Sequence, residues 1–365
     1  MGDVMVILGA GATYDCLEQE RADRFGVARP PLAAQLFDER SDFVEVLRRV
    51  PQALSIVQRM RRLAPLGGGV EEALNRVVQR AEETRDPMYL QDVLALRFYL
   101  REIIIGSTAP ISAATAGATN YLDLVTRLHD YSLDSGSRVT FVTFNYDNLL
   151  ESAIANRFSY RFSNTDSYIN APIAIFKPHG SVDWVDAIPL SKNVPSRSPY
   201  MHVASVKSAE HLDTTRKSAV LMYDEAKLGS GWEPPEVIAP AIAIPITSKD
   251  AFLLPDGHER DLAQRMVEVD TLLIIGWRAS EAAFKELART NLRSAGYQDI
   301  RAFVVDKADS RISAGVETIR NFSPHLSSGN TATSELGFSG FLDDGRSHPR
   351  LSEWGRFIEH VRRSR

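Results

Sequence analysis

Three short motifs carry side chains or backbone that could act on a nucleotide. Thr143-Phe144-Asn145-Tyr146-Asp147 sets an amide and a carboxylate two residues apart, directly after a β-branched and aromatic run. Pro178-His179-Gly180-Ser181-Val182-Asp183-Trp184 sets an imidazole between a proline and a glycine, again just after a short apolar run. An Asn and an Asp at the mouth of a sheet can hold a carboxamide or a ribose, and a His in such a place can take a proton from a ribose hydroxyl or a water. Taken singly, each reads as a turn Asn or a loop His. The third motif, Gly9-Ala10-Gly11-Ala12-Thr13, follows the apolar run Val4 to Leu8. Such glycines either let the backbone approach a pyrophosphate at a helix amino terminus or form a tight turn that holds nothing. The full G-x-G-x-x-G fingerprint is absent, since position 14 is Tyr, and no acidic residue closes a second strand about 20 residues later as hydride-transfer enzymes require.

Other candidates carry less. Gly67-Gly68-Gly69 lacks the Lys-Ser/Thr of a phosphate loop and reads as a break between helices. His258-Glu259-Arg260 has no second His four residues after the first, and His129 lies on a helical stretch, structural or solvated. A single cysteine, Cys16, excludes an intramolecular disulfide and a four-thiolate zinc ribbon, so no metal is expected.

The elements that must position these motifs alternate in type. Near-continuous apolar runs at Val4–Leu8, 138–144, 174–177, 271–275 and 300–305 read as buried parallel strands. Residues 42–62 and 70–105 show apolar positions three and four apart among Arg, Glu and Gln, as amphipathic helices do. Further helices are expected over 121–133, 149–155, 261–267, 281–293 and 351–361, the last anchored by Trp354 and Phe357. Residues 186–235 are polar, rich in Ser and Pro, and read as a long irregular insertion. The expected fold is therefore α/β, a Rossmann-like doubly wound parallel sheet with a helical insertion over about 40–118. A catalytic domain is expected over 1–310 and a C-terminal extension over 311–365, packed on the same domain. In such a sheet the residues after four strands, Gly9 to Thr13, Asn145 to Asp147, Gly276 to Ser280 and Asp306, share one edge.

Composition narrows the classes. The chain has 365 residues, with Lys+Arg 42 against Asp+Glu 47 and a formal charge of −5. A hydrophobic fraction of 44% allows a substantial core and excludes wholesale disorder. The negative balance argues against direct nucleic-acid binding by this chain alone. The amino terminus has an acid where a signal peptide carries Lys or Arg, and no stretch approaches the ~20 apolar residues of a membrane span, so a cytoplasmic location is expected.

Together, Gly9-Ala10-Gly11, Thr143 to Asp147 and His179-Gly180 resemble the sirtuin family, and His179 to Trp184 resembles its prokaryotic sirtuin-like branch more than its deacetylase branch. Pro30-Pro31-Leu32 and Thr271 to Gly276 are similar to further segments of that branch, although Arg278 stands where a Ser is usual. The likeness spans roughly residues 4–310. Thr13 replaces the Ser of the deacetylase motif, no Phe-Arg pair follows, and the zinc ribbon is missing.

The resemblance implies an NAD pocket made by Gly9, Ala10, Gly11, Ala12, Thr13, Asn145, Asp147, Gly276 and Asp306. It implies that Asn145 positions the nicotinamide ribose or the attacking water, Asp147 holds the carboxamide, and His179 is the general base. The implied activity is an NAD glycohydrolase yielding ADP-ribose and nicotinamide, a regulated NAD-depleting effector of anti-phage defence. The alternatives are a non-catalytic NAD- or nucleotide-binding assembly subunit and an ADP-ribosyltransferase. Members of the branch form homo-oligomers or work with separately encoded partners such as HerA-type ATPases or Argonaute-like proteins.

Overall fold

The computed structural model describes residues 2–63, 69–189, 191, 206, 219–222, 236–245, 252–292, 300–307, 330–343 and 352–362. In chain order the elements are β1 (Asp3–Leu8), α1 (Ala10–Tyr14), α2 (Gln19–Phe25), α3 (Ser41–Arg49), α4 (Leu54–Leu63), α5 (Gly69–Thr84), α6 (Pro87–Thr115) and α7 (Asn120–Ser135). There follow β2 (Val139–Thr143), α8 (Leu149–Phe158), α9 (Asp166–Ile169), β3 (Ala174–Phe176), β4 (Gly180–Pro189), β5 (Ala219–Met222) and β6 (Glu236–Ile242). The chain then runs through α10 (His258–Met266), β7 (Val269–Ile275), α11 (Ala282–Asn291), β8 (Arg301–Val305), β9 (Thr331–Ser334), α12 (Gly337–Leu342) and α13 (Glu353–Arg362).

Six strands form one sheet in the order β3-β2-β1-β7-β8-β9, every neighbouring pair parallel. The strands are apolar throughout because both faces are covered. Val4, Val6 and Leu8 point to the side packed by α7, α8, α12 and α13, whereas Met5 and Ile7 point to the side packed by α10 and α11. That two-residue alternation with helices on both faces defines the doubly wound α/β, Rossmann-like architecture expected from the pattern.

A second sheet is antiparallel, in the order β5-β4-β6. It corrects the reading of 186–235 as irregular: β4 runs on to Pro189 and β5 pairs with it, while most of the remainder lies outside the described residues. Pro240 is accommodated because β6 is an edge strand, where a missing N–H costs no ladder bond. Helices α3 to α6 form a core of their own, including Phe43, Ile56, Leu74 and Tyr99, which also takes in Ala239 of β6. The two long helical stretches are each broken by a proline: Pro51 separates α3 from α4, and Pro87 opens α6, whose first turn is capped by Asp86 accepting from Met88 N–H at 2.9 Å. Helix α6 continues to Thr115, ten residues beyond the expected end. Of the triple glycine only Gly69 is described, and it opens α5. The Ser/Gly/Asp-rich stretch 323–348 contains β9 and α12.

Candidate active site

The carboxyl ends of β2, β1, β7 and β8 lie side by side, so the residues that follow them share one edge of the sheet, where ligands of doubly wound folds sit. At the centre is the turn from β1 into α1. Gly9 is extended and precedes the helix; Ala10, Gly11, Ala12 and Thr13 form it. These glycines meet a second turn, at the end of β7. Gly276 has φ +58°, and a Cβ there would lie 2.5 Å from Ala12 N; a Cβ on Gly11 would lie 2.8 Å from Gly276 Cα. Gly11 N–H donates to the Gly276 carbonyl at 3.0 Å, Ala12 N–H to the Gly9 carbonyl at 2.9 Å, and Gly9 N–H to Ile275 O at 3.0 Å. The glycine requirement thus comes first from the approach of two protein backbones.

Around this turn four polar side chains are tied together. Thr13 Oγ1 donates to Asp147 Oδ2 at 2.6 Å and shares a hydrogen bond with Tyr121 Oη at 2.9 Å. Asn145 Nδ2 donates to Gly9 O at 2.8 Å and to Tyr121 Oη at 3.2 Å. Asp147 Oδ1 accepts from Leu149 N–H at 3.0 Å, in the first turn of α8. Burial, reinforced by the charge of Asp147, holds the Tyr121 phenol far above its ordinary range, so it stays protonated. The same two causes, with Asp15 adding to them, push the Cys16 thiol up. Beneath the knot, fully buried Lys177 donates to the Asp147 carbonyl and pairs with Glu151 Oε1 at 2.7 Å. Burial pushes the Glu151 carboxyl up to about 7 against the pull of Lys177. Its Oε2 has no hydrogen-bond partner among the described residues.

His179 stands at the other end of the constellation, between β3 and β4. It is followed by Gly180 at φ +83°, whose missing side chain admits the Ala241 carbonyl of β6. The imidazole is walled by aromatic rings: Phe144 meets it edge-on at 4.9 Å between centroids, and Tyr146 lies alongside at 6.2 Å. Phe144 in turn stacks on Trp277 at 5.1 Å and 4°. Trp277 Nε1 donates to Glu281 Oε2 at 2.7 Å, while Glu281 Oε1 lies 4.0 Å from His179 Nε2. Tyr146 Oη donates to Ala243 O at 2.7 Å, and burial together with the Glu281 charge raises its phenol.

The fold therefore brings Gly9 to Thr13, Asn145, Asp147 and Gly276 into one bonded group. His179 joins it through the rings of Phe144 and Tyr146, the neighbours of Asn145. Asp306 is one strand further along and makes no hydrogen bond to Asn145, Asp147 or His179. Its carboxyl accepts from Lys307 N–H at 2.8 Å and is raised by burial, while its backbone ties to Ser334 and Gly337. Asn145, Asp147 and His179 are only 7%, 5% and 5% exposed. A side chain added at Gly11, as in Gly11→Val, would push into the Gly276 turn.

Several residues of the site escape a reading by motif. Tyr121 is 108 positions from Thr13, and its only sequence signal is its place at the start of an amphipathic helix. Trp277 lies inside the Gly276–Ser280 turn and Glu281 at the foot of α11, where it reads as an ordinary helix-starting acid. Lys177 reads as the polar end of β3. Among the described residues no three His, Cys, Asp or Glu side chains cluster to hold a metal ion, and no helix is long and apolar enough to cross a membrane. His129 packs edge-on against Phe158 at 4.8 Å, away from this group.

No protein-family model matches the chain, and no curated protein matches it either. Among solved structures it is similar to a Sir2 protein with a p53 peptide and NAD+, at 11% identity over 93% of this chain and 90% of that one, TM-score 0.38. It is also similar to a variant Sir2 homologue in complex with ADP-ribose, at 11% identity over 100% of this chain and 93% of that one, TM-score 0.41. A third is Sir2Tm bound to a propionylated peptide, 12% identical over 97% and 94% of the two chains, TM-score 0.39.

Proposed function

We propose that the chain is an NAD glycohydrolase that cleaves NAD with water to ADP-ribose and nicotinamide. The observation that supports it most is the convergence of Asn145 and His179 at the carboxyl edge of the sheet, Asn145 bonded to the glycine turn and His179 packed on the two residues that flank Asn145. A binder of nucleotides needs no base; a hydrolase does. As the glycosidic bond breaks, its electron pair passes to the pyridinium nitrogen and the ribose carbon gains cation character. Water attacks that carbon and gives a proton to His179, which releases it to solvent. Asn145 positions the ribose or the water, and Asp147 takes the carboxamide.

The chemistry of the donor set suits NAD, with one condition. The Asn145 amide, the Asp147 carboxylate and the Gly11 and Ala12 N–H groups are bonded within the protein. Admitting NAD exchanges some of these bonds for bonds to the ligand. The further reading, a triggered NAD-depleting effector of anti-phage defence, comes from the sequence resemblance alone. Such an effector acts as a homo-oligomer or beside a partner such as a HerA-type ATPase or an Argonaute-like protein.

The test is incubation with NAD, with and without the product of the neighbouring gene, followed by product analysis. His179→Ala is expected to lose about 10²–10⁴-fold in rate, as removal of a general base does, and Asn145→Ala to lose most activity. His129→Ala, remote from the site, keeps it. Variants that cleave NAD like the parent overturn the mechanism. A parent that binds NAD and never cleaves it is an assembly subunit, and ADP-ribose found on a protein or nucleic acid makes it a transferase.

A further inference from the structure

We propose that Glu281 is the positioning carboxylate of His179, held for that purpose by Trp277; this rests on His179 being the base of the proposed reaction. Four contacts close a ring. Trp277 Nε1 binds Glu281 Oε2 at 2.7 Å, Glu281 Oε1 faces His179 Nε2 at 4.0 Å, His179 lies edge-on to Phe144, and Phe144 stacks on Trp277. The indole fixes one carboxylate oxygen and thereby aims the other at the imidazole. The side chains involved are largely withdrawn from water, Glu281 being 12% exposed and His179 6%, so the charge acts with little screening.

Glu281 is the charged group that faces His179 Nε2. Tyr146, also against the imidazole, is neutral, its hydroxyl donating to Ala243 O. Lys177, two residues before His179, is turned to Glu151 and the Asp147 carbonyl, and Asp147 is bonded by Thr13 and Leu149. A carboxylate facing Nε2 favours the tautomer with its proton there and the lone pair on Nδ1. It also stabilises the imidazolium formed when water, adding to the ribose carbon, gives up its proton. The gap of 4.0 Å is an ion-pair distance that shortens to a hydrogen bond once the ring is charged.

The experiment uses the full chain and two readouts. The first is the pKa of His179 from its ring proton shifts in NMR spectra. The second is the pH profile of NAD cleavage. Glu281→Gln is nearly isosteric and still accepts from Trp277, so the fold persists. It is expected to lower the His179 pKa by about one unit, the scale of a nearby opposite charge, to move the acid limb of kcat down with it, and to cut kcat about tenfold at unchanged KM. Trp277→Phe keeps the charge but frees it, and is expected to lose part of the same effect. An unchanged His179 pKa in Glu281→Gln overturns the proposal, as does a shifted pKa with an unmoved kcat profile. A parent that cleaves no NAD overturns the reaction instead, and the titration alone then decides whether Glu281 and His179 are coupled.

Discussion

The two halves of the candidate site are built differently. Around the glycine turn, Thr13, Tyr121, Asn145 and Asp147 answer one another with short hydrogen bonds, and Lys177 closes the group from below. Around His179 the walls are aromatic, and its charged partner stops 4.0 Å away. The first half has the character of a core: its polar atoms are satisfied, so each substitution is paid for in stability. The second holds a titratable ring between aromatic walls, with the Glu281 carboxylate facing its Nε2. Positioning and reactivity are thus divided between neighbouring stretches of a single sheet edge.

The comparison predicts where stability resides. The largest effect is expected beneath the knot. At pH 8, where Glu151 is ionised, Glu151→Leu leaves the fully buried Lys177 ammonium without its counter-charge, which costs about 3–5 kcal/mol, read as a fall in urea midpoint. A loss below about 1 kcal/mol would show that the knot does not rest on this pair. Next, Tyr121→Phe removes the hydroxyl shared by Thr13 and Asn145 and is expected to cost about 1–2 kcal/mol. His179→Ala, measured the same way, should cost less than Tyr121→Phe; the reverse order would erase the distinction between the halves.

A further effect is a change of stability with pH. Glu151 is raised from 4.5 to about 7 in the folded chain, so between those values the folded state holds a proton that the unfolded state has released. Its contribution is complete below pH 4.5 and is lost as pH rises through about 7. Stability of the parent relative to Glu151→Gln should therefore fall from pH 5 to pH 8. His258, lowered by burial, works the other way, its contribution present above 6.5 and lost as pH falls below it. It is common to parent and variant and cancels in the difference.

Much of the frame was legible because burial on both faces forces strands to be apolar throughout. Val4–Leu8, Val139–Thr143 and Thr271–Ile275 could hardly be read otherwise, and their shared edge followed from parallel order. Strands β5 and β9 were hidden for the opposite reason, and β4 because Asp183 and Asp186 interrupt the apolar run of a strand that is buried nearly throughout. β9 is Thr331-Ala332-Thr333-Ser334, an edge strand whose place is set by its neighbour β8 more than by its own hydrophobicity. The helix breaks at Pro51 and Pro87 carried a signal that apolar spacing alone overrode. Within the site, Asn145, Asp147 and His179 announce themselves by type beside a strand end. Tyr121 and Glu281 do not, because Thr13 for the one and His179 for the other lie about a hundred residues away, which no local pattern encodes.

The position of β1 has a consequence for how the molecule forms. It precedes both of its neighbours in the chain and lies between β2 and β7, with Val4 opposite Val139 on one side and Thr271 on the other. Both pairings span long stretches of chain, and closing such loops is what slows folding. The glycine turn emerges attached to a strand whose first neighbour is β2 (Val139–Thr143) and whose second is β7 (Val269–Ile275). Its counterpart Gly276 arrives only with β7. A nascent or truncated chain ending before β7 therefore carries the turn without the surface that shapes it. The constellation at the sheet edge is therefore assembled as a whole only once β7 is in place.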